Sequence, residues 1–127
     1  MPFRMVQSLL LVSLSVNAGP QYPSNLKLDC YQPVAEQRSL IRKAEKNRYT
    51  LRRVEFYGNQ HTSDPMLRRR LALNEGNFFT RASLMRSLKR LSGLMVIKPV
   101  RLSDVKIRLD HGEKLVDAVI CLEERRR

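Results

Sequence analysis

Between Tyr49 and Glu124 the apolar residues change their spacing twice, and that change constrains the fold more than any single motif. From Thr50 to Tyr57 they alternate, with Val54 and Phe56 on one face and Glu55 and Tyr57 on the other, as in a half-buried strand. Gly58-Asn59 ends that strand, because both residues tolerate the positive φ of a sharp turn. Helical spacing follows. Asp64-Pro65 reads as a cap and first helical position, and Leu67 and Leu71 share a face of a short helix ending near Leu73. Asn74-Glu75-Gly76-Asn77 is the connection, with Gly76 expected in the left-handed region. Thr80 caps a second helix, Phe79 and Leu84 suit a hydrophobic staple, and Leu84, Leu88 and Leu91 form its stripe up to Gly93.

The spacing then returns to alternation. Leu94–Val100 leads into the second strand with an interruption at Pro99, and Val105, Ile107 and Leu109 alternate with Lys106 and Arg108. Asp110-His111-Gly112-Glu113 reads as a hairpin turn with its glycine in place. Lys114–Glu123 is apolar on both faces except at Asp117, which predicts a central strand. The order is β-α-α-β-β. A helix pair with one apolar stripe must bury it on a sheet face, so the expectation is a two-layer α+β domain: a three-stranded sheet covered on one face by two helices.

The remaining chain divides by composition. Residues 1–18 have the layout of a secretory signal peptide: Arg4, an apolar run centred on Leu9-Leu10-Leu11-Val12, and small-residue Val16-Asn17-Ala18 before the break. The alternative is an apolar N-terminal helix or strand that stays attached. Residues 19–48 read as a linker. Gly19–Asn25 is broken by prolines, and Pro33–Arg48 is helix-compatible with a partial stripe at Val34, Leu40, Ile41 and Ala44, too thin to demand docking. Residues 125–127 are a basic tail of three arginines. No internal repeat is visible in the sequence.

Two cysteines, Cys30 and Cys121, leave two readings open. In an oxidising compartment they could pair and pin the N-terminal segment to the last strand. Free thiols are slightly favoured, because sequence cannot establish proximity. Lys27-Leu28-Asp29 before Cys30 puts charge where a lipidation signal needs apolar and small residues.

No catalytic constellation stands out. His61 and His111 sit in turns and lack ligands at zinc-site spacing, and no glycine loop suits a phosphate, so no enzyme, cofactor or metal is expected. The formal charge of +12 calls for acidic partners. Arg68, Arg69, Arg70, Arg86, Lys89 and Arg90 form the basic patch on the two helices. Nucleic acid and an anionic membrane surface are the two rival partners for such a patch. Export would remove nucleic acid from reach, and the absence of Trp with few other aromatics weakens base stacking.

The strand ending at Gly58-Asn59, the helix start after it, the Gly76 turn, the Leu84/Leu88/Leu91 helix and the acidic end of the last strand at Glu123 together resemble the POTRA family, the polypeptide-transport-associated domain of outer-membrane barrel assembly proteins. The resemblance covers residues 49–124 and lacks the tandem repeats and the barrel of the usual family context. It implies a non-catalytic envelope module, exported to the periplasm or the outer-membrane periphery, that binds other polypeptides or assembly partners in trans. A physical route is edge-strand pairing, in which an extended peptide bonds to unpaired backbone groups with little demand on its own sequence. The expected edge is Arg101–Leu109, with Arg101, Leu102, Val105, Lys106, Ile107, Arg108 and Leu109 as its residues. Against that use stand Pro99, Lys106 and Arg108, which could protect the same edge.

Overall fold

A computed structural model describes residues 30–125. The elements run α1 (Val34–Lys46), β1 (Thr50–Tyr57), α2 (Asp64–Arg68), α3 (Arg81–Ser92), a 3-10 turn at Leu102–Asp104, β2 (Val105–Asp110) and β3 (Leu115–Cys121). The signal layout of residues 1–18, the proline-rich start of the linker and the last two arginines of the tail lie outside the described residues.

The three strands lie in the order β1-β3-β2, so the strand that is apolar on both faces is the central one. β1 runs parallel to β3, with Val54 opposite Ala118 and Phe56 opposite Ile120. β2 runs antiparallel to β3, with Ile107 opposite Ala118 and Val105 opposite Ile120. These registers gather Leu51, Val54, Phe56, Val105, Ile107, Val116, Ala118 and Ile120 on one buried face. Leu67 of α2, and Leu84, Leu88 and Leu91 of α3, belong to the same core cluster. Burying each large aliphatic side chain contributes roughly 1.5–3 kcal/mol, which holds a sheet this narrow to its helices. The α+β architecture expected from the spacing is the one observed.

A third helix joins the layer. α1 packs beside β2 and touches α3. Ile41 and Ala44 enter the core cluster, and Leu40 packs partly against it. The thin stripe is sufficient because Gln37, four residues before Ile41, is also buried and makes hydrogen bonds of its own. Glu45 near the end of α1 accepts from the backbone N–H of Arg81 at 3.2 Å, placing a carboxylate at the positive N-terminus of α3.

Local details depart from the sequence expectation for identifiable reasons. Ser63, not Asp64, caps α2: its hydroxyl accepts from Met66 N–H at 3.4 Å. The Asp64 carboxylate instead accepts from the Asn59 side chain at 2.8 Å. α2 stops at Arg68 rather than near Leu73, and the chain turns back so that Gly76 N–H can reach the Leu51 carbonyl at 2.7 Å. Gly76 has φ +95°, as its place in the connection requires. In the hairpin after β2 the left-handed residue is Lys114 at φ 57°, not Gly112, and the Asp110 carboxylate closes the turn on Glu113 N–H at 3.1 Å. Thr80 caps α3 as expected, accepting from Ser83 N–H at 3.1 Å.

The reading that favoured two free thiols is overturned. Cys30 and Cys121 form a disulfide, with Cα atoms 6.2 Å apart and 91 residues of separation. The alternation of β3 puts Cys121 on the face away from α2 and α3, opposite Tyr57 in register. The segment before α1 comes round the β2 side of the sheet to meet it.

Candidate functional site: the β2 edge and its occupant

A strand of a three-stranded sheet that has only one neighbour presents a row of outward backbone groups. Both outer strands here have part of that row engaged, in different ways. On β1 the partners lie close in sequence to the domain itself. Leu51 N–H donates to the Asn77 carbonyl at 2.8 Å, and Phe79 N–H donates to the Tyr49 carbonyl at 2.9 Å. Val54 N–H donates to the Glu75 carboxylate at 2.9 Å, and its carbonyl accepts from the Arg68 guanidinium at 2.6 Å. Arg68 also lies over the Phe56 ring, 5.5 Å from its centroid.

On β2 the partners are glutamine side chains from the N-terminal segment. Gln32 Oε1 accepts from Ile107 N–H at 2.9 Å while Gln32 Nε2 donates to the Ile107 carbonyl at 2.9 Å. Gln37 Nε2 donates to the carbonyls of Val105 at 2.6 Å and Leu102 at 2.7 Å. A primary amide carries the same donor and acceptor as a peptide unit. Gln32 therefore makes to Ile107 the pair of bonds that a neighbouring strand would make. Both glutamines are buried, at 8% and 2% exposure.

The expected edge residues are placed unevenly. Val105, Lys106, Ile107, Arg108 and Leu109 lie in β2. Arg101 and Leu102 lie before it, at the cap and in the 3-10 turn, where Asp104 accepts from Arg101 N–H at 2.8 Å. Val105 and Ile107 face the core, whereas Lys106 and Arg108 face the opposite side of the sheet. On that opposite side Arg52 makes a two-bonded pair with Asp117 at 2.8 and 3.0 Å. The hydrogen bond from Arg52 holds the Asp117 carboxyl below its ordinary value.

Beside the disulfide runs a groove of about 510 Å³, lined in part by Cys30, Tyr31, Tyr57, Val100, Cys121 and Leu122. Gly58 at its wall has φ +94°, and a Cβ there would collide with the Leu122 carbonyl. Elsewhere on the surface, Arg69, Arg70, Arg86, Lys89 and Arg90 surround one shallow area with Gly93. Arg68 leaves the expected basic patch, because its guanidinium is committed to the β1 edge. Among the described residues no group of three or more His, Cys, Asp or Glu side chains could hold a metal ion. His111 Nδ1 instead meets the Tyr49 hydroxyl at 2.9 Å. No helix among the described residues is long and apolar enough to cross a membrane.

Gln32 and Gln37 escaped the sequence reading. Gln37 shares one helical stripe with Ile41 and Ala44, so a polar residue on the buried line was the available signal. Gln32 carried none, since its partner lies 75 residues away.

Comparisons with known proteins agree with this fold. One solved structure, BamA from Haemophilus ducreyi lacking POTRA domains 1–3, matches at 24% identity and a TM-score of 0.54, covering 61% of this chain and 14% of that one. POTRA1–3 of the periplasmic domain of Omp85 from Anabaena matches at 19% identity and a TM-score of 0.50, covering 61% of this chain and 35% of that one. The chain thus spans a small part of the proteins whose fold it shares. No curated protein matches it. The family model "POTRA: Surface antigen variable number repeat" matches residues 49–125, more than half of the sequence, and the chain belongs to that family.

Proposed function

We propose that this chain is a non-catalytic polypeptide-interaction module of outer-membrane protein assembly, working in the periplasm or at the outer-membrane periphery, and that it receives an extended polypeptide along the β2 edge. The observation that carries this reading is the Gln32 amide on Ile107, which stands where a docked strand's peptide unit would stand. Within the family-matched residues 49–125, the outward groups of β1 at Leu51 and Val54 are satisfied by the domain's own backbone and by Glu75 and Arg68. Those of β2 at Val105 and Ile107 are met from outside that region, and the two bonds from the Gln32 amide to Ile107 are ones a peptide unit can replace one for one. The Omp85 structure that shares the fold is named as part of a periplasmic domain, which supports the setting. The Cys30–Cys121 bond suits an oxidising compartment.

Docking of this kind depends on backbone groups rather than on charge. The test is calorimetry on the purified chain and its Gln32→Ala variant with a net-neutral octapeptide of alternating valine and threonine. Both proteins should bind it, the variant more tightly. Scrambling the peptide should change affinity little, and prolines at alternate positions should abolish binding by removing N–H donors. Binding by neither protein, or equal binding of the proline peptide, would refute edge docking.

A second reading has its own observation. The cations Arg69, Arg70, Arg86, Lys89 and Arg90 converge on one open surface that suits anionic phosphates, as on a membrane. Attachment through that surface would fall steeply with salt.

A further inference from the structure

We infer that the Cys30–Cys121 disulfide is a latch that governs access to the β2 edge, and that a dithiol reductant opens it. This rests on the edge-docking reading above and concerns its regulation. The latch and the occupant are neighbours in sequence. Gln32 lies two residues after Cys30, and only Pro33 separates it from α1. With the bond intact, the segment Cys30–Gln32 is fixed at both ends, by Cys121 and by the docked helix. An incoming strand then competes with an amide tethered at very high effective concentration.

The bond lies beside an open groove. Cys30 is nearly buried at 7% exposure, but both cysteines line the 510 Å³ groove beside the sheet, and Tyr31 between Cys30 and Gln32 is 67% exposed. A thiolate of the dithiol attacks one sulfur of the bond and forms a mixed disulfide, releasing the other cysteine as a thiolate that takes up a proton. The second thiol of the reductant then attacks the mixed disulfide. Cys30 and Cys121 end as two thiols, and the dithiol ends as a disulfide having given up two electrons and two protons.

Opening is local, because the rest of the N-terminal segment is held independently. Ile41 and Ala44 remain in the core, and Gln37 remains on the Val105 and Leu102 carbonyls. After reduction the tether is gone, and Gln32 is held at the edge only by its own bonds to Ile107 and its 3.2 Å contact with Glu36. The Ile107 N–H is therefore the group whose exposure reports the latch.

The experiment compares amide hydrogen exchange at Ile107, and binding of the alternating valine-threonine octapeptide, in three proteins: oxidised, reduced with dithiothreitol, and Cys30→Ser/Cys121→Ser. Reduction or the double substitution should speed Ile107 exchange about tenfold and tighten peptide binding about tenfold, the scale of one or two lost hydrogen bonds. Amides of β3 should keep their protection. A Gln32→Ala variant, left oxidised, should give the same faster exchange at Ile107 with the fold held by the bond. Unchanged Ile107 exchange on reduction would overturn the latch. Faster exchange without peptide binding in any form would keep the latch and remove the docking reading. General loss of β3 protection in the reduced protein would overturn a local opening and make the bond a fold staple.

Discussion

At the scale of single residues, polar side chains inside the core do more to shape this molecule than the sequence pattern suggests. Ser87 is wholly buried on α3, on the face expected to be apolar. Its hydroxyl accepts from Ala72 N–H at 2.8 Å and Leu73 N–H at 3.0 Å and donates to the Ser83 carbonyl at 2.8 Å. That exhausts its hydrogen-bonding capacity and fixes the chain after α2 onto α3. Ser87→Ala should leave two buried amides without partners and lower stability by about 2–4 kcal/mol, read from urea unfolding. A change within about 0.5 kcal/mol would mean that water reaches those amides. Conformation at single residues was legible only where sterics decide it. Gly58 and Gly76 have the positive φ their turns imply. The non-glycine Lys114 takes a left-handed conformation in the hairpin turn, and Ser63 takes the capping place expected of Asp64, whose carboxylate is engaged by Asn59.

At the scale of elements, the spacing of apolar residues fixed the identity of the strands and of α3. β3 was legible as central because its run is apolar on both faces except at Asp117, as expected of the strand best covered by its neighbours. The docking of α1 was not legible. Its apolar stripe is thin, and part of what anchors it is a pair of bonds from Gln37 to carbonyls 65 and 68 residues away. The disulfide was legible only as one of two open readings, since it is the fold that brings Cys30 round to the face bearing Cys121. Gln37→Ala should strip both carbonyls of their donor and cost about 2–4 kcal/mol, more than Gln32→Ala next to the disulfide. Thermal unfolding of the two variants checks the order, and equal or reversed losses would contradict the assigned weights. The edge of β2 was legible as an edge, but its occupant was not, because pairing between a side chain and a distant backbone leaves no periodic trace.

For the whole molecule, the sheet edges are finished differently. The β1 edge is closed by the domain's own connection between α2 and α3, and the β2 edge by a separate segment held at one end by a disulfide. The cationic surface formed by α3 and the turn after α2 is a second, charge-driven face. An edge that backbone geometry makes receptive, covered by a replaceable amide, is the arrangement expected of a module that takes hold of extended polypeptide without reading much of its sequence. The direct test is a set of intermolecular NOEs between the alternating valine-threonine octapeptide and the Gln32→Ala protein. The account predicts a ladder of contacts from the peptide backbone to Ile107 and Leu109 along β2, unchanged by added salt. Contacts confined to Arg86, Lys89 and Arg90, lost as salt is raised, with Ile107 untouched, would contradict it.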